Sequence, residues 1–207
     1  MPGITVAVDG KRLATIDLAD LQMMDVSVFG GLTHEEHAML NASGVGQREG
    51  GSGGLTWIDL QALQPGEVVT IAFNEGCDGA DRGRTLAELY PDEPVCTKTD
   101  FAITADMAEE LRSQPRHHER FRVQAQTSTG KRVRATSDAA NTDFSFGLLW
   151  NCYRPHEARV SLRTHCLDDV IARSGGTRHL DATLLVGESA SFSLLLDPGL
   201  TLIRRIE

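Results

Sequence analysis

Apolar and polar positions alternate through most of this chain. ITVAVDG places Ile4, Val6 and Val8 on one face and ends on Asp9-Gly10. Asp-Gly between two alternating runs favours the tight turn of a β-hairpin. KRLATIDL and MDVSVFG continue with the same period, LTWIDLQAL runs to a Pro65-Gly66 turn, and EVVTIAF follows it. Further on, RFRVQAQTSTGKRVRATSD reads as a second hairpin. DFSFGLLWNCY sets Phe144, Phe146, Leu148 and Trp150 on one face, EARVSLRTH does the same with Ala158, Val160 and Leu162, and ATLLVGESASFSLLL forms two strands around Gly187. Many short strands separated by turns predict an antiparallel sandwich or barrel.

The pattern occurs twice. Gly10-Lys11-Arg12 with Ala14-Thr15 matches Gly130-Lys131-Arg132 with Ala135-Thr136, and Asp25-Val26-Ser27-Val28 matches Asp143-Phe144-Ser145-Phe146. His34-Glu35 matches His156-Glu157, and Gly66-Glu67 matches Gly187-Glu188. The order is the same, and the offsets of 120, 118, 122 and 121 residues are nearly constant. The expected fold is therefore all-β: two tandem, internally duplicated antiparallel β-sandwich-like domains with a short, partly helical linker. The domains are set at residues 1–76 and 120–207, with the linker at 77–119. Each is expected to hold about five strands.

Two helices are expected between them. Thr85 and Glu88 have capping-box spacing before Pro91, and Thr104 can cap a helix reaching about Ser113 with Met107 and Leu111 on one face. GVGQREGGSGG, residues 44–54, is so rich in glycine that it reads as a flexible loop. At the matching place in the second half, LDDVIARSGG reads as a short helix ending at Gly175-Gly176.

The net charge of −9 is uneven. Residues 1–103 hold sixteen acids and six bases, a net −10, and the remainder is close to neutral. Such a field disfavours nucleic acid and suits a basic protein partner. No apolar run is long enough for a membrane helix and the start lacks a secretory pattern, so the expected location is the cytoplasm, with no membrane partner. The four cysteines, Cys77, Cys96, Cys152 and Cys166, form no CxxC pair and read as inert thiols.

Chemical motifs are scarce. Gly44-Val45-Gly46 lacks the third glycine and helix start of a dinucleotide loop, and no P-loop or GxSxG is present. His34 and His37 are three apart rather than the four of HExxH, and Cys152, His156, His165 and Cys166 match no standard zinc spacing. No catalytic residue, metal site or cofactor is assigned. The expected function is that of a non-enzymatic protein-binding protein that neutralises a basic partner, such as an immunity protein or inhibitor of a bacterial toxin. Its contact residues are placed at Glu35, Glu36, Glu49, Asp78, Asp81, Glu88, Asp92 and Glu93. The alternatives are an adaptor or structural module of a larger assembly, and an enzyme with an unmarked site between the two copies.

Overall fold

A computed structural model describes residues 2–48, 51–93 and 103–195. The first half forms six strands: β1 (Gly3–Val8), β2 (Lys11–Asp17), β3 (Leu21–Gly31), β4 (Ala38–Arg48), β5 (Gly51–Leu63) and β6 (Val68–Asn74). Two helices follow, α1 (Leu86–Leu89) and α2 (Ala105–Ser113). The second half adds β7 (Arg122–Thr127), β8 (Arg132–Thr136), β9 (Asp143–Asn151), β10 (Glu157–His165), α3 (Leu167–Ala172), β11 (Thr177–Leu185) and β12 (Ser189–Leu194). The chain is all-β, and its strands pair antiparallel in two six-stranded sheets.

One sheet has the order β2-β1-β6-β12-β7-β8 and the other β11-β10-β9-β3-β4-β5. Each half thus builds a sandwich-like unit with three strands in either sheet. The units join edge to edge, β6 on β12 and β3 on β9, so both sheets run through the whole molecule. At the seams Val28 pairs with Phe146 and Thr70 with Ser191. In the alignment of the two halves these residues are each other's equivalents, so the strand order reads the same from either end.

The turns of the two halves are made in the same way. Gly66 and Gly187 have φ of +97° and +92°, a conformation that costs glycine nothing and other residues about 1–2 kcal/mol. The amide of Gln64 donates to the Glu67 carboxylate at 2.7 Å, and that of Leu185 to the Glu188 carboxylate at 2.8 Å. Each turn is then tied to the other half: Gly66 N–H donates to the Leu194 carbonyl and Gly187 N–H to that of Phe73.

The alternating residues meet between the sheets in one apolar core. Val26, Val28, Ile71, Phe73, Phe144, Phe146, Leu148 and Trp150 are all buried, as alternation requires. Phe192 of one sheet stacks on Phe144 and Phe146 of the other with centroids 5.6 and 5.3 Å apart. Such pairs bury large rings from both sheets and add to the area term. The Trp150 indole N–H donates to the Pro155 carbonyl at 3.1 Å, so its one polar atom is satisfied.

Outside positions 49–50 the glycine-rich stretch is strand rather than loop. Residues on either side of positions 49–50 form the ladder of β4 and β5, with Gly44 opposite Leu55 and Gly46 opposite Gly53. Close packing demands two of these glycines. A Cβ on Gly44 would lie 2.6 Å from the Met23 carbonyl oxygen, and one on Gly46 would lie 2.7 Å from Leu21 Cδ2. Each half therefore holds six strands rather than five, with β4 and β5 the counterparts of β10 and β11. The helix caps occur where their spacing places them: Thr85 and Glu88 form a capping box, and Thr104 Oγ1 accepts the Met107 amide. On α2 the buried residue is Ala108, while Met107 and Leu111 are half-buried. α3 stops at Ala172, two residues before the first of its glycines' neighbours, because Arg173 already turns left-handed at φ +53°.

Candidate functional site

Leaving β6, the chain crosses from the edge of one sheet to the edge of the other. Asp81 fastens that crossing. Its carboxylate accepts the Thr15 amide at 2.7 Å, its own amide donates to the Thr15 carbonyl, and its carbonyl accepts the Trp57 indole N–H at 2.8 Å. Thr56 and Arg84 exchange backbone bonds at 2.8 Å, which lays the segment along β5. α1 then sits over β5, and the Tyr90 hydroxyl donates to the Asp59 carboxylate. That bond stabilises the neutral phenol and raises its pKa.

Three apolar side chains remain open on this flank: Leu60, Leu86 and Tyr90, with 48%, 62% and 37% of their surface exposed. Leu86 opens α1 and Tyr90 caps its end, the Tyr90 amide donating to the Leu86 carbonyl at 2.8 Å. Leu60 follows Asp59 in a bulge of β5, with φ at +47°. A leucine held in the left-handed region costs about 1–2 kcal/mol, and here it leaves the side chain in solvent. Asp78, Asp92 and Glu93 are exposed on the same crossing segment. Glu88 serves its capping box and an ion pair with Arg82 at 2.5 Å. Glu35 and Glu36 are exposed on a different element, the turn between β3 and β4. Glu49, like Cys96, lies outside the described residues.

The seven described carboxylates therefore divide into surface charges and structural ones, and Asp81 and Glu88 belong with the latter. Charge counting does not reveal Asp59, Leu60, Leu86 and Tyr90. A signal exists in the shift of phase along β5, where Leu55 and Leu63 are buried at odd positions and Ile58 at an even one. That shift is the mark of a bulge.

A second feature lies where β3 meets β9. A cleft of about 500 Å³ is enclosed by the turn after β3, the start of β9, α2 and α3. His34 Nε2 stands 3.7 Å from Asp143 Oδ1, reaching from the first half to the second. Thr142 Oγ1 donates to the other oxygen of Asp143 at 2.7 Å, and Arg112 of α2 pairs with Asp168 of α3 at 2.7 Å. Gly31 makes room for this carboxylate, since a Cβ there would lie 2.0 Å from Asp143 Oδ1. Cys166 also lines the cleft, but its thiol and amide both donate to Asp169 Oδ2, at 3.5 and 3.1 Å. The Ser174 hydroxyl, followed by the Cys166 amide, draws the Asp169 carboxyl below its ordinary pKa.

The histidines and cysteines of the second half do not converge. Cys152 and His156 precede β10 and His165 and Cys166 end or follow it, separated by roughly 3.3 Å for each residue of a nine-residue strand. Among the described residues no group of three His, Cys, Asp or Glu side chains is arranged to hold a metal ion. No helix there is long and apolar enough to cross a membrane. No family model matches the chain, no curated protein is significantly similar to it, and no solved structure significantly matches its fold.

Proposed function

We propose that this is a non-enzymatic binding protein of the cytosol that docks a basic protein on the flank formed by β5, α1 and the segment after β6. Inhibition of a basic toxin by an immunity protein is the kind of role that fits. The observation that carries the reading is the exposed set Leu60, Leu86 and Tyr90 beside Asp59, Asp92 and Glu93, with Asp78 exposed further back on the same segment. Apolar anchors within a charged rim are the usual composition of a protein interface, and tyrosine is frequent among the residues that dominate its energy. The excess of acid in the first half adds long-range attraction for a cationic surface. We further take the two halves to be diverged copies of one unit, with the crossing segment and its flank acquired by the first alone.

The test is capture from the native host followed by kinetics with the captured protein. The expected result is a one-to-one complex with a basic protein. Its association should slow as ionic strength rises from about 10 mM to about 150 mM, where the Debye length shortens from ~30 to ~8 Å. Leu86→Asp together with Tyr90→Ala should weaken the complex by at least about tenfold, a hot-spot effect. Unchanged affinity in that variant refutes the location, and an acidic or nucleic-acid partner refutes the reading.

A second reading, an enzyme acting in the cleft between the halves, is favoured by the His34–Asp143 pair, in which a carboxylate faces an imidazole across the seam. Hydrolysis of activated esters or phosphoesters that His34→Ala abolishes would put it first. Equal turnover by wild type and variant would remove it.

A further inference from the structure

The turn between β3 and β4 directs its two histidines apart. His34 faces the cleft, whereas the His37 imidazole stacks on that of His118, with centroids 4.0 Å apart and planes inclined by 23°. Backbone bonds fasten the linker at the same point: the amides of His117 and His118 both donate to the Leu32 carbonyl, at 2.8 and 3.1 Å. His118 Nε2 is buried and has no hydrogen-bond partner among the described residues. Just upstream, Leu111, Arg112, Gln114 and Arg116 form one wall of the cleft. The anchor at residues 117–118 runs directly into that wall, which Arg112 also ties to Asp168 of α3.

We propose that the His37–His118 stack is an acid-sensitive latch, which holds the linker on the β3–β4 turn while His37 is neutral and, when His37 takes up a proton, releases it and opens the cleft. Positive charge on His37 is opposed by the His118 ring stacked on it, whose buried Nε2 has no hydrogen-bond partner among the described residues to relieve the strain. Partial burial, followed by the neighbouring His118, lowers the His37 pKa from its ordinary 6.5, and Glu36 opposes the change with a smaller effect. The other charged groups near the two rings in sequence are Glu35 on the turn, and Arg116, His117, Glu119 and Arg120 on the linker. A histidine whose folded pKa is depressed leaves stability intact above about 6.5 and withdraws it as pH falls through the lower value. The latch is therefore closed at neutral pH and opens on acidification. It does not depend on what the cleft or the acidic flank binds.

Hydrogen exchange at the His117 and His118 amides reads the latch directly. Corrected for intrinsic rates, their protection should fall by at least about tenfold between about pH 7.5 and about pH 5. The Leu32 amide, which bonds to the Thr142 carbonyl at 2.9 Å, should stay protected. His37→Phe keeps a flat ring against His118 and removes the paired charge, so the loss of protection should shrink. His37→Lys installs a fixed charge and should leave both amides unprotected even at neutral pH. Constant protection across the range in the wild type overturns the proposal. So does an undiminished pH dependence in His37→Phe, or full protection in His37→Lys.

Discussion

Trp150→Ala tests whether the two halves stand or fall together. Trp150 is 1% exposed in the central region of its sheet, opposite Met24 of the first half and Ala158 of the second. Removing the indole leaves a cavity and strands the Pro155 carbonyl, which now accepts its N–H. Buried tryptophan truncations cost about 3–5 kcal/mol. For a chain of this size each kcal/mol lowers Tm by about 2–4 °C, so a fall of roughly 6–20 °C is expected. The variant retains one tryptophan, Trp57, which lies in the first half with its indole bonded to Asp81. Because β3 pairs with β9 and β6 with β12 over one core, damage in the second half must reach Trp57. Trp57 fluorescence and far-UV circular dichroism should therefore move to the same lower midpoint. A Trp57 transition that keeps the wild-type midpoint while circular dichroism becomes biphasic would refute the shared core as the source of cooperativity.

Three further outcomes follow from particular contacts. Gly44→Ala should destabilise by about 1–3 kcal/mol in urea titration, because its Cβ meets the Met23 carbonyl, whereas Gly53→Ala, with nothing within 4 Å, should be near neutral. Asp81→Ala should cost about 1–3 kcal/mol by leaving the Thr15 amide without its acceptor, while Asp78→Lys should stay within about 0.5 kcal/mol, both read by thermal melting. Arg159 and Arg178 hold the Asp181 carboxyl at about 2, so the stability it lends is present above its ordinary 3.8 and is lost as pH falls through about 2. A carboxyl carbon chemical-shift titration should place the midpoint near 2, and Asp181→Asn should flatten the acid end of the stability curve.

Much of the fold was legible because its causes are local. A period of two residues names the buried face of a strand, so Phe144 to Trp150 and Ile71 to Phe73 could be assigned to the core before any tertiary contact was known. Asp9-Gly10, Gly66 and Gly187 mark turns because few other residues accept their φ, and Thr85 and Thr104 mark helix starts because their hydroxyls satisfy orphan amides. The acid excess of the first half is likewise a property of the chain alone. Local pattern does not say which edges meet. The pairing of β3 with β9 and of β6 with β12 joins residues more than a hundred positions apart and closes both halves over one apolar core. The same limit hid the β4–β5 hairpin: Gly44 and Gly46 look like flexibility in sequence, but the strand beside them leaves no room for a Cβ. Asp78 and Asp81 show the limit most simply. They are two acids in one acidic stretch, and only the approach of Thr15 makes one a surface charge and the other a fastening, because a hydrogen bond depends on position in space rather than on composition.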